Sequence, residues 1–200
     1  ADVGGFVARV EFDSISVLEQ FTLTGGIALP SPRTVNHSSA ALLGDTGDVL
    51  VLLNAGVPGD PFPRIYVFTS SGSFLRTITM DGFHDPEGIC QLHGGSNRYA
   101  IVEEGTDDDI SLVTITPSTT DLDKSSADVH PVTLPFGKNF NRGMEGVTYD
   151  APNDCFYVVQ ESDPMGVYRL TLNATDTTTE VVFDAEGIFQ GVATDLSDLT

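Results

Sequence analysis

Positive charge is scarce in this chain: nine Lys and Arg stand against 29 Asp and Glu, a formal net charge of −20. A surface of that sign repels phosphate backbones and anionic headgroups, which argues against nucleic acid and lipid surfaces as partners. It suits cation binding, high salt or an extracellular setting where divalent ions screen the repulsion, and it equally suits plain solubility. Cysteine is nearly missing as well. Cys90 and Cys155 are far apart and in no metal-ligand spacing, which argues against a disulfide scaffold and a zinc site; the two are either bridged to each other or two buried thiols. No run of eighteen apolar residues occurs, so no segment reads as a membrane-spanning helix. The start, Ala1-Asp2-Val3, has neither a basic n-region nor an apolar h-region, so a leader was removed or never existed. There is no G-x-S-x-G elbow, no P-loop and no H-E-x-x-H.

What is present is a globular composition, with 40% apolar residues, twelve Phe and five Tyr in 200 residues, enough for one domain with a real core. Helical periodicity is almost absent. Short β-rich runs recur, among them Val49 to Leu53, Ile65 to Phe68, Arg76 to Thr79, Tyr99 to Val102, Phe156 to Val159 and Val167 to Leu170. Turn signals such as Ser71-Gly72, Gly94 to Asn97 and Pro152 to Asp154 separate them, the pattern of an all-β sandwich, barrel or propeller.

An internal repeat decides among these. At a shift of 57 residues Tyr99 meets Phe156, Ile101 meets Val158, Glu104 meets Glu161 and Ile115 meets Leu172. One residue out of that register, Glu87-Gly88-Ile89 matches Glu145-Gly146-Val147. A weaker copy runs from Ser39 through Phe68, and Asp195 to Thr200 stands where another first strand would begin. A unit of roughly 50 to 57 residues with about four strands is the size of a propeller blade. The expected fold is therefore an all-β propeller of four-stranded antiparallel blades, with about four blades in an incomplete or open ring. Residues 1–200 read as a single propeller domain or propeller fragment, in which 1–37 are weakly assigned and Phe6 to Phe12 could be an outer latch strand. Open sheet edges then offer a surface for a protein partner or for self-association.

The repeated turns read D-P-E-G-I at Asp85 to Ile89, R-Y-A-I-V-E-E at Arg98 to Glu104, N-R-G-M-E-G-V-T-Y-D at Asn141 to Asp150 and V-V-Q-E-S-D-P at Val158 to Pro164. This order resembles the SdiA-regulated (phytase-like) β-propeller family from about Ser38 to Thr200. The chain departs from the family pattern at Asp198, where a Gly is usual, and lacks at least one further blade. The resemblance implies a propeller with a divalent cation, Ca2+ foremost, near the axis, in a periplasmic, cell-surface or extracellular protein. The residues agree in kind: Glu87 and Glu145 on successive inner strands converge at one end, and Glu104 and Glu161 lie near the same rim. Crowded carboxylates repel unless some take protons or a cation joins them, and calcium wants six to eight oxygens. The alternative is that these glutamates accept hydrogen bonds from the next blade's backbone N–H groups and hold blades in register. The Gly after each Glu permits a tight turn or a close backbone approach.

Other features carry less. Thr106 to Asp109 reads as a solvated acidic hairpin tip rather than a calcium loop, and His84 reads as structural. Asn36-His37-Ser38 and Asn173-Ala174-Thr175 are sequons, making Asn36 and Asn173 candidate glycan sites if the protein is secreted by a glycosylating cell. The expected function is a secreted or cell-surface calcium-binding propeller module acting in binding or self-assembly, such as an extracellular filament or appendage subunit. The alternative is a metal-dependent phosphoesterase, phytase-like or lactonase-like hydrolase, with Arg64, Arg98, Lys138 and Arg142 as thin support for a polyanionic substrate.

Overall fold

Strands with apolar residues on both faces must be covered on both faces, and the chain meets that demand by stacking sheets. The structure is a computed structural model, and it describes residues 6–7, 27–28, 37–44, 46–54, 62–94, 96–104, 108–135, 143–162, 164–174 and 176–184. A two-stranded antiparallel sheet joins β1 (Phe6–Val7) to β2 (Ile27–Ala28). Blade I is built from β3 (His37–Leu43), β4 (Asp48–Leu53), β5 (Arg64–Phe68) and β6 (Phe74–Asp81). Blade II takes β7 (Pro86–Gln91), β8 (Arg98–Glu103) and β9 (Asp109–Thr114), leaves for β10 (Asp121–Asp123), and returns as β11 (Asp128–Pro131). Blade III is the meander β12 (Met144–Asp150), β13 (Cys155–Gln160), β14 (Gly166–Leu172) and β15 (Thr177–Asp184). The all-β propeller architecture read from the repeat is the one observed, as an open arc of three described blades.

Alternation along β8 shows how the blades stack. Tyr99 and Ile101 join the cluster shared with blade I, beside Leu50, Leu52, Ile65 and Ile78. Ala100 and Val102 join the cluster shared with blade III, beside Met144, Val147, Phe156 and Tyr168. Successive side chains of a strand point to opposite faces, so a run apolar at every position belongs in a sheet covered twice. The inner strand β7 packs against both β3 and β12.

Two devices tie blade I to blade II. The fully buried Tyr99 hydroxyl donates to Leu42 O at 2.8 Å and accepts from Gly44 N at 2.7 Å. Gly44 holds φ +50 there, a conformation that side chains disfavour. The second device is β10, which pairs in parallel with the outer strand of blade I, Asp121 opposite Thr79 and Asp123 opposite Asp81. A short 3-10 turn, Lys124–Ser126, follows it, capped by the Asp123 carboxylate. Lys124 Nζ then reaches back to Glu103 at 2.6 Å and Asp109 at 2.8 Å, both buried on blade II.

Cys90, half-buried on β7 of blade II, and Cys155, buried on β13 of blade III, form no disulfide, so of the two sequence readings the unbridged one holds. Asp108 and Asp109 are buried, not a solvated tip, because Asp109 opens β9 under the Lys124 ammonium and Asp108 lies against blade III at Gly143. Of the Phe6 to Phe12 run, Phe6 and Val7 pair with β2 among the described residues; the rest of that run and Asp195 to Thr200 lie outside them.

Candidate metal centre at the inner strand ends

Each blade's inner hairpin carries a β-bulge at the same place, where one residue is left out of the pairing. The register skips between His37 and Ser39 in blade I, between Pro86 and Gly88 in blade II, and between Met144 and Gly146 in blade III. The extra residues are therefore Ser38, Glu87 and Glu145. A bulge bends its strand and re-aims the unpaired side chain, here toward the neighbouring inner strands. The residue after the partner strand is equivalent in all three blades as well: Asn54 follows Leu53, Glu104 follows Glu103, and Glu161 follows Gln160.

These positions converge. Carboxylate oxygens of Asp85, Glu87 and Glu104 lie within 4.8 Å of one another, and so do those of Glu104, Glu145 and Glu161. All four glutamates singled out from sequence are brought together, with Glu104 common to both groups. Asp85, Ser38 and Asn54 were missed. Asp85 holds φ 52, rare for a residue with a side chain, and its carbonyl accepts from Glu104 N at 3.0 Å. Gly143 takes the equivalent place in blade III, its carbonyl accepting from Glu161 N at 3.2 Å. A Cβ on Gly143 would stand 2.9 Å from Asp108 Oδ1 and 3.0 Å from Glu104 Cγ, so glycine leaves the room those carboxylates occupy.

The glutamates differ in what satisfies them. Glu87 accepts from Ser38 Oγ and from Asn54 Nδ2, each at 2.6 Å. Glu104 accepts a short bond from the backbone N–H of Gly143 on the next blade. That is the register-holding role, realised by one of the four among the described residues. Glu145 has no hydrogen-bond donor among the described residues. Burial pushes Glu87 up to about 7, with Asn54 and Ser38 opposing and Asp85 adding to it. Burial raises Glu104 too, opposed by the Gly143 bond. Glu145 goes furthest, to about 8, from burial and then the charges of Glu87, Glu104 and Glu161.

Does this set fit calcium? Its donors are hard oxygens, and two ligands about 2.4 Å from one ion lie no more than about 4.8 Å apart. The Oδ1 of Asn54 is buried beside Glu87 without a hydrogen-bond partner among the described residues, an unused oxygen where a cation would want one. The residues fit the group. Of the two roles that sequence allowed, a tight turn or a close backbone approach, Gly88 serves the second: a Cβ there would meet Val102 at 2.8 Å, Glu145 O at 3.0 Å and Val147 at 3.1 Å. It is the close approach of blade III that demands glycine.

Of the other sequence candidates, Asn173 is exposed at the β14–β15 turn, and its Nδ2 donates to Thr178 Oγ1 at 3.1 Å. The side chain of His84 is exposed, and its backbone N–H donates to Glu103. Arg98 opens β8, at the strand ends away from the carboxylates. Asn36, Lys138 and Arg142 lie outside the described residues.

A family model described as SdiA-regulated matches residues 56–200. Among solved structures, the chain is similar to a chain of the nidogen/laminin complex, with a TM-score of 0.55 and 13% identity over 84% of this chain and 56% of that one. At that identity the likeness is one of fold, a propeller, and this chain spans little more than half of its relative's length.

Proposed function

The chain belongs to the SdiA-regulated family, and from that membership together with the carboxylate geometry we propose that it is a cation-binding propeller module whose ion is calcium. The observation that carries this reading is Glu145, a half-buried carboxylate among Glu87, Glu104 and Glu161 with no described donor. A divalent ion held by Glu104, Glu145 and Glu161, or by Asp85, Glu87 and Glu104, would replace mutual repulsion with shared coordination. Because these residues come from successive blades, the ion would hold the arc together at its axis. On a secreted, cell-surface or periplasmic protein such a site would work with a dissociation constant of about 10⁻⁴ to 10⁻³ M.

In this reading the module binds and assembles rather than catalyses. The outer edge of blade III supports it: β15 exposes Val181 and Val182 and ends its sheet among the described residues, and such an edge invites strand addition from a partner or a second copy, as in an extracellular filament. Sedimentation across a hundred-fold dilution checks this second part, and a monomer at every concentration would sink it. The hydrolase alternative gains nothing from Arg98, which stands at the opposite strand ends.

The test of the cation is melting in calcium against EDTA. At one hundred times the dissociation constant an ion adds about 2.7 kcal/mol, a rise of about 5–10 °C for a domain this size. No rise with calcium, magnesium or manganese would defeat the reading.

A further inference from the structure

At the opposite ends of the same strands, blades II and III part to form a cleft of about 360 Å³. Its position follows from the pairing: Pro86–Glu103 and Met144–Gln160 close the carboxylate end, while Gln91–Tyr99 and Asp150–Cys155 close the other. Leu92, Leu112, Phe156 and Leu172 contribute apolar lining, and the polar groups come from both blades.

The aromatic part is ordered by ring contacts. Tyr149 tilts against Phe156 with centroids 4.9 Å apart, and His93 meets Tyr149 edge to face at 5.1 Å. Around them stand acceptors and donors in near balance. Asp154 accepts from the Tyr149 hydroxyl at 2.6 Å, and Asp128 lies 3.2 Å from His130 Nε2. Arg98 lines the same cleft, and among the described residues no hydrogen bond or ion pair takes its guanidinium. Asp154 holds φ 48; it and Asp85 are the described non-glycine residues in the left-handed region. Strain of that kind gathers at functional sites, and here it falls once at the carboxylate cluster and once at this cleft.

We propose that the cleft binds a neutral saccharide of one or two rings. Two carboxylates exclude an anion as the preferred ligand, since a second negative group beside Asp128 and Asp154 meets repulsion. A sugar hydroxyl both donates and accepts, so it satisfies a carboxylate on one side and a guanidinium or imidazole on the other. The C–H face of a pyranose suits the electron-rich face of an aromatic ring and an apolar floor. The volume is at the small end of ligand pockets, where one or two rings fit. The inference does not depend on the cation: its residues lie away from the carboxylates, so either reading can fail alone.

The experiment is backbone amide NMR on the labelled chain, titrated in turn with maltose, cellobiose, lactose and N,N′-diacetylchitobiose, then with glucuronate and inorganic phosphate. The expected result is saturable shifts from one or more neutral sugars at Leu92, His93, Arg98, Tyr149 and Asp154, with a dissociation constant of about 1 mM. Arg98→Met and Tyr149→Ala each weaken binding at least about ten-fold, or 1.4 kcal/mol, while Glu145→Gln leaves it unchanged. Arg98→Met keeps the test sound should Tyr149→Ala fail to fold, because the exposed Arg98 side chain makes no described structural bond. Absence of shifts with all four neutral sugars overturns the proposal. So do shifts from glucuronate or phosphate alone, or sugar shifts untouched by Arg98→Met.

Discussion

The interface between blades I and II and the one between blades II and III use the same positions with different chemistry. At the first, the bulge residue and the residue after the second strand are Ser38 and Asn54, neutral groups that both donate to Glu87. At the second, the equivalent residues are Glu87 and Glu104, and what they face is another carboxylate, Glu145. The first interface also has the β10 strand, Lys124 and the Tyr99 bonds across it. The second has the close approach at Gly88, one backbone bond to Glu104 and the crowded charge. One geometry thus gives the bulge glutamate side-chain donors at one interface and leaves carboxylate facing carboxylate at the other.

The largest expected effect comes from breaking the first interface. Lys124→Met leaves Glu103 and Asp109 buried without their cation, and removing one partner of a buried pair costs about 3 kcal/mol or more. Thermal unfolding should fall by about 6–12 °C. A fall of under about 2 °C would mean that the clasp is not what secures blade I to blade II.

Gly88→Ala attacks the second interface through volume instead of charge. Its Cβ would stand 2.8 Å from Val102 and 3.0 Å from the Glu145 carbonyl, and overpacking of that kind costs about 1–3 kcal/mol. Melting should drop by about 2–12 °C, whereas the same change at Gly94, where a Cβ meets nothing within 4 Å, should stay within about 1 °C.

Charge at the second interface is read by pH. Glu87 is raised to about 7 and Glu145 to about 8 from an ordinary 4.5, so the folded chain keeps protons that the unfolded chain releases. Their stabilising contribution is full below about pH 4.5 and is lost as pH climbs through 7 and 8. Without calcium, melting should fall between pH 5 and pH 8.5; with calcium the fall should flatten. Glu145→Gln should raise the calcium-free melting temperature at pH 8.5 by about 1–2 kcal/mol equivalent, discounted for solvent reaching a half-buried group. It should also shrink the gain from calcium. A variant that keeps both the slope and the calcium gain would remove Glu145 from the site.

The smallest change asks whether the neutral partners matter. Ser38→Ala deletes one of the two donors to Glu87 and should cost about 1 kcal/mol, mostly at pH 8.5, where that carboxylate is charged. Equal loss at pH 5 and pH 8.5 would show that Ser38 serves packing and not the charge.

Much of this was legible in the chain. The 57-residue shift that aligns Glu104 with Glu161 also aligns the strands that carry them, because a repeated blade repeats its rim positions. Ser38 and Asn54 escaped notice because the first copy is neutral at the two places that are acidic later, so no repeated carboxylate marks them. Asp85 and Gly143 were hidden for another reason: they are equivalent in place but unlike in chemistry, and the bulge that relates them leaves little trace in hydrophobic pattern. Asp108 and Asp109 misled because local polarity says solvent, while Lys124 arrives from fifteen residues away.

By itself, then, the amino-acid order determined the class of fold, the blade period and the four glutamates, since alternation and repetition are properties of a line of residues. What only the tertiary structure decided is which of those glutamates is satisfied. That depends on the residue that the neighbouring blade turns toward it. Stacking gives Glu87 two donors and Glu104 one, and leaves Glu145 with carboxylates for company.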